Sequence, residues 1–112
     1  MPKRDDVVLL RDILDAISQI ELYLADVVYP TFCAMPLLQD GVMHRLEIIG
    51  EASRNLSDTF LDQHSDIPWQ DIIGMRNRIA HAYFAVDLWA VWDTAQLDIP
   101  ALREQIERVL GA

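Results

Sequence analysis

The chain has 112 residues, 52% hydrophobic and 24% charged, with four glycines, five prolines and one cysteine. That makes one domain, able to bury about two-thirds of its unfolded surface, and it excludes a disordered chain. The lone cysteine excludes an intrachain disulfide and a cysteine-based zinc site, and the net charge of −9 excludes a surface that grips nucleic acid all over.

No apolar run approaches the roughly 20 residues needed to span a bilayer. The opening MPKRDD has no apolar signal core behind it, so a cytoplasmic protein is expected, with no membrane partner. Cys33 is expected to be a small buried hydrophobe.

In chain order, Leu10, Ile13, Leu14, Ile17, Leu24 and Val28 recur at helical spacing, which predicts an amphipathic helix over 5–28. Asp5 or Asp6 would cap it and Pro30 would end it. Residues 29–36 read as a connector held between two prolines. A second helix is predicted over 38–60, with a stripe of Val42, Leu46, Ile49, Ser53, Leu56 and Phe60 suited to a nearly antiparallel neighbour. Small Gly50, Ala52 and Ser53 would let another backbone approach, a second subunit among the candidates.

A third helix is predicted to begin near Pro68, after Asp66, and to run to about Phe84. Asp87 would cap a fourth helix through LWAVWDTAQL. Asp98 and Pro100 would open a fifth, ending at Gly111. No stretch alternates with period two, and no internal repeat is visible. The fold class read from this pattern is all-α: an antiparallel bundle of four main helices plus a short C-terminal helix, with residues 1–112 as a single domain.

The third helix carries more than core packing requires. On a wheel of about 100° per residue, Ile72, Met75, Ile79 and Ala82 fall within a sector of about 80°, the core face. Arg78 points away from the motif. The remaining arc mixes Arg76, Asn77 and His81 with Ile73, Gly74, Ala80 and Phe84. A solvated face has no need of Ile73 and Phe84, and a dry face would not tolerate an unpaired Arg76. The mixture suits a cleft or a subunit interface. Asp71 and Asp87 bracket this stretch with no acidic residue between them. Asn77 and His81, four apart, share a face. Arg76 lies about 140° from His81 and meets it only by folding across Asn77 and Ala80, or across a two-fold axis. On spacing alone, a histidine beside an arginine is also an ordinary surface pair.

The run Arg76-Asn77-Arg78-Ile79-Ala80-His81 resembles the signature of HEPN ribonucleases: arginine, a polar residue, three further residues, then histidine. Ala82-Tyr83 completes the longer form of the HepT family. HRLEIIGEASRNLSD, with Ile49-Gly50-Glu51-Ala52, resembles that family's second helix, IPWQDIIGMRN its approach to the motif, and LREQIERVL its last helix. The resemblance implies a HEPN-like fold and a metal-independent, cofactor-free endoribonuclease acting as a homodimer, with room for a larger hetero-oligomer. His81 and Arg76 would be catalytic, and Asn77 would be the polar residue of the signature. It further implies the toxin half of a toxin–antitoxin pair. The antitoxin would be a minimal nucleotidyltransferase (MNT) that adds AMP to Tyr83.

The chemistry suits these residue types. RNA carries its own nucleophile, the 2′-OH. Imidazole titrates near neutrality and can act as base or acid, so His81 fits either role. A guanidinium is permanently charged and can hold two phosphoryl oxygens, which fits Arg76 as stabiliser. Asn77 would orient His81 or the phosphate, with Arg78 as a further supporting cation. From the residues alone, Tyr83 reads equally as a core tyrosine with its hydroxyl at the surface.

Other candidates rank lower. His44, Glu47 and Glu51 have helical spacing for a metal trio, but an exposed face paired with Arg54 is the simpler reading, with a supporting role for Glu51 weakly held. Arg45 and Arg54 read as solvated before they read as phosphate contacts. Trp69, Trp89 and Trp92 read as packing residues, the last two on one face. His64 carries no functional signal. Two alternatives to a ribonuclease stay open: a non-catalytic HEPN module that binds a nucleotidyltransferase or a nucleotide, and a structural helical dimer.

Overall fold

A computed structural model describes residues 4–75, 77 and 87–111, and every regular element among them is helical. The elements are α1 (Arg4–Leu24), α2 (Tyr29–Cys33), α3 (Pro36–Arg54), α4 (Asp58–Gln63), α5 (Trp69–Ile73), α6 (Leu88–Asp93), a π-helical turn (Thr94–Asp98) and α7 (Ile99–Gly111).

Helices α1 and α3 form the antiparallel spine. Asp6, in the first turns of α1, reaches Ser57 just beyond the end of α3. At the other end, the Tyr23 ring lies so close to α3 that a Cβ on Gly41 would meet it at 3.3 Å. Glycine at 41 permits that approach. The apolar positions of the first predicted helix, Leu10, Ile13, Ile17 and Leu24, are buried, as is the whole predicted stripe Val42, Leu46, Ile49, Ser53, Leu56 and Phe60. α7 closes the core with Ile99, Leu102 and Ile106. It is tied to α1 by Arg103, whose fork donates to both Glu21 carboxylate oxygens, at 2.7 and 3.2 Å, and to Ser18 Oγ at 2.7 Å.

Several predicted boundaries move. α1 stops at Leu24, six residues before Pro30, because Asp26 adopts a left-handed conformation (φ 61°) that turns the chain. An aspartate tolerates that region better than most residues. Val28 is therefore exposed, not core. Pro30 lies within the first turn of α2, where its missing N–H costs nothing. α2 turns Phe32 inward, which puts Cys33 on the outside: the expected buried cysteine is exposed.

The second predicted helix is two helices. α3 ends at Arg54, and Ser57 caps α4 by accepting from Phe60 N at 3.2 Å. The buried stripe runs straight across the break, which is why periodicity did not reveal it. Asp6 is not a cap for α1; it is a buried tertiary acceptor. Near the C-terminus, Asp98 caps nothing, because α6 runs on through the π-helical turn into α7. Pro100 cannot donate to the carbonyl four residues back, and the widened turn before it lets the helix pass without ending.

Gly50, Ala52 and Ser53 are buried within the single chain, so no second subunit is needed to cover them. Ser53 Oγ is fully enclosed with no hydrogen-bond partner. A buried hydroxyl without a partner carries its desolvation cost uncompensated. Ser53→Ala is therefore expected to raise stability by about 1 kcal/mol, read as a higher denaturant midpoint at unchanged slope. A lower midpoint would contradict it.

Candidate functional site

Within the motif the structure describes Asn77 alone. Arg76, Arg78, His81 and Tyr83 lie outside the described residues, as do Ile79 and Ala82 of the predicted core face. The described residues on either side of the motif pack against the rest of the bundle.

On the incoming side, the chain from α4 to α5 is braced by aromatic contacts. Phe60 packs on His64 with ring centroids 4.5 Å apart and on Trp69 at 5.9 Å. Trp69 is buried and its indole N–H donates to the His64 carbonyl at 2.9 Å. His64, without a functional signal in sequence, and Trp69, read as packing, both serve this brace. Ile72 and Met75 are buried as predicted. They line a cavity of about 200 Å³ together with Ile99, Ala101 and Leu102 of α7. Met75, the residue directly before Arg76, is thus anchored beside α7.

α5 ends at Ile73, with Gly74 at its C-terminal boundary. Asn77 follows, exposed, its backbone N–H donating to the Gly74 carbonyl at 3.1 Å. Met75 in and Asn77 out is the orientation expected of two residues about 200° apart on a helix. The amide of Asn77 is available to a ligand at the surface.

On the outgoing side, Asp87 accepts from Ala90 N at 3.1 Å and caps α6, as predicted. Tyr29 stands close by. Its hydroxyl is held above the ordinary tyrosine pKa, first by a hydrogen bond with Cys33, then by burial and by the charges of Cys33 and Asp87. Trp92 packs against Tyr29 and Phe32, at 5.8 and 5.4 Å. Trp89 meets Tyr29 edge-on at 4.8 Å yet stays exposed. The two tryptophans were expected to share one packing role; the structure gives that role to Trp92 and leaves Trp89 on the rim.

His44, Glu47 and Glu51 line one shallow depression with Ile48. No group of three or more His, Cys, Asp or Glu among the described residues is placed to hold a metal ion. Arg54 is exposed. Arg45 is half-buried in a groove between α1 and α3 lined by Asp12 and Asp15, with its Nε enclosed and unpartnered. Carboxylates beside it make a poor seat for phosphate. No helix among the described residues is long and apolar enough to cross a membrane.

Comparison with known proteins gives the family. No solved structure matches the chain. A protein of Thermococcus cleftensis named "Probable ribonuclease HepT" is 38% identical over 107 residues, covering 96% of this chain and 97% of that protein. A Methanocaldococcus jannaschii protein named "Putative RNase" is 33% identical over 109 residues, covering 97% of this chain and all of its own length. A Caldanaerobacter subterraneus protein of the same printed description is 39% identical over 82 residues, 73% of each chain. The family described as Ribonuclease HepT-like matches residues 13–109, which places the motif between Met75 and Asp87 inside the matched region, and the chain belongs to that family.

Proposed function

We propose that this chain is an endoribonuclease toxin whose catalytic groups are Arg76 and His81. The observation that carries the reading is the unbroken Arg76-Asn77-x-x-x-His81-x-Tyr83 run in a chain that belongs to the HepT-like ribonucleases along nearly its whole length. Exposed Asn77 and the buried anchor at Met75 support a motif held at the surface.

In the proposed reaction the 2′-oxygen attacks the adjacent phosphorus and gives its proton to a base. The bond from phosphorus to the 5′-oxygen breaks, and an acid protonates that oxygen. The products are a 2′,3′-cyclic phosphate and a 5′-hydroxyl. His81 supplies the proton transfers, and in a homodimer one copy's His81 serves as base while the other serves as acid. Arg76 holds the charge that builds on the phosphoryl oxygens. Asn77 and Arg78 position the substrate. All charge changes fall on the RNA and on these side chains, so the scheme needs no metal or cofactor. The test is cleavage of single-stranded RNA by wild type and His81→Ala in the presence of a chelator, with the new ends identified chemically. Products ending in 3′-hydroxyls, or wild-type activity that a chelator abolishes, would refute it.

The partner in this reading is an MNT-type nucleotidyltransferase antitoxin that adds AMP to Tyr83. The modification would set a phosphate and an adenosine beside the site, opposing RNA by charge and bulk. Tyr83→Phe is expected to keep most cleavage activity and to lose the modification. Mass spectrometry that finds AMP on the phenylalanine variant would sink the assignment.

A further inference from the structure

The cavity between α5 and α7 has a dry floor and a polar mouth. Ile72 and Met75 supply one side of the floor, and Ile99 and Leu102 the other. All four are buried. At the mouth, Asp71, Asp98 and Ala101 are exposed and Gln105 is half-buried. Among the described residues, neither the Asp98 carboxylate nor the Gln105 amide has a hydrogen-bond partner. Asp98 is also the last residue of the π-helical turn. Such turns are rare and concentrate at functional sites.

The volume of about 200 Å³ limits what can enter. A dry cavity of about 150 Å³ already holds a benzene ring, and sites for larger ligands begin near 300 Å³. The space suits one planar base. Met75 is followed directly by Arg76, so the floor lies one residue from the group assigned to the phosphate.

We infer that this cavity seats the base of the nucleotide next to the scissile phosphate, and that Asp98 and Gln105 select a base with an exocyclic amino group. The inference rests on the ribonuclease reading for its substrate and adds a base preference to it. A phosphate does not fit here, because two carboxylates and, among the described residues, no cation line the cavity. A base is neutral. An unstacked base is held between apolar side chains and read by hydrogen bonds along its edge. The Met75 thioether suits the face of a ring. A wholly apolar occupant would cover Asp98 and Gln105 without giving them partners, which costs free energy.

The mouth sets the preference. Asp98 and Gln105 are seven residues apart, about 10 Å along the helix axis, so one base can touch both. A carboxylate only accepts, whereas an amide side chain also donates. Guanine, cytosine and adenine each carry an amino donor beside a ring acceptor or a second N–H. Uracil offers one N–H between two carbonyl oxygens, and a carboxylate approaching that N–H meets their negative ends.

The test has two readouts on the full chain. The first is the Met75 methyl signal in NMR during titration with guanosine, cytidine, adenosine and uridine, which does not depend on cleavage. The three amino-bearing nucleosides are expected to shift it at concentrations about tenfold lower than uridine. The second is the sequence beside the cuts made in RNA of random sequence, where uridine should be depleted about tenfold. Asp98→Asn is expected to erase both preferences. Ala101→Phe, which fills the mouth from an exposed position, is expected to abolish the Met75 shift. Both variants should keep the helical circular dichroism signal. Glu104→Gln removes a charge from the same helix at an exposed site paired with Arg108 and should leave both preferences intact. A Met75 signal that no nucleoside moves, or that uridine moves equally, would overturn the site whether or not RNA is cleaved. So would a Glu104→Gln protein that changes as Asp98→Asn does. A wild type that cleaves no RNA but shows the nucleoside preference would end the ribonuclease reading and support the base site.

Discussion

RNA mixed with His81→Ala protein is expected to be cleaved about 10²- to 10⁴-fold more slowly than with wild type, the usual contribution of a general acid–base group. The loss should appear in the rate at saturating RNA, because the imidazole acts on protons that move in the transition state. Arg76→Ala should cost about 10²- to 10³-fold, the scale for losing one preorganised oxyanion contact. Arg76→Lys should recover only part of that, since an ammonium keeps the charge but not the two-pronged fork. Asn77→Ala should act more weakly and chiefly on RNA affinity, because Asn77 sits exposed and is assigned to positioning. A His81→Ala protein within threefold of wild type would end the assignment of the proton transfers to His81, and a wild type that cleaves no RNA would leave the binding-module alternative. The loss must come with an unchanged far-ultraviolet spectrum, so that it reports chemistry and not folding.

How much of this was legible in the sequence depends on which physical signal carried each feature. Helical periodicity identified the buried faces of α1 and α3 because burial is periodic, and Leu10, Ile13, Ile17, Val42, Leu46 and Ile49 are all enclosed. Periodicity cannot see a break that preserves the face, so the interruption between Arg54 and Ser57 passed unnoticed. Capping rules located Asp87 correctly. They misread Asp6 and Asp98, because an aspartate before a helical run looks the same whether it caps, reaches across the fold or sits in a continuing helix. The π-helical turn before Pro100 has no simple sequence signature. Burial rules failed at the α1–α2–α3 corner: Val28 and Cys33 have core-residue chemistry, yet both face out. The missed clue was the gap of thirteen uncharged residues between Asp26 and Asp40. The motif was legible from spacing and resemblance and the burial of Met75 from the helical wheel, while the brace of Phe60, His64 and Trp69 comes from tertiary contacts that no local pattern records.

Asp6→Ala is expected to be among the most damaging single changes to the fold, although Asp6 lies 51 residues in sequence from the serine it holds. The carboxylate is 2% exposed and accepts from Ser57 N at 2.8 Å and from Ser57 Oγ at 2.7 Å. Hydrogen bonds to a charged group contribute about 1.5–3 kcal/mol each, and removing the acceptor leaves the Ser57 donors under cover. A loss of about 3 kcal/mol follows, or on the order of 15 °C in Tm for a domain of this size. Ser57→Ala should cost a similar amount, since it removes the cap on Phe60 N and one of the two bonds to Asp6. The double variant should fall well short of the sum, because both single changes break one unit. Asp6→Asn should lie between, since its amide oxygen can still accept from the backbone. The effect should also travel. Ser57 starts α4, α4 carries Phe60, and Phe60 braces His64 and Trp69 on the way to Met75. Amide exchange in Asp6→Ala should therefore accelerate from Ser57 to Met75 more than along α7, which Arg103 ties to α1 independently. Uniform acceleration along the chain, or a stability within 0.5 kcal/mol of wild type, would show that the two ends of this linkage are not coupled through Ser57.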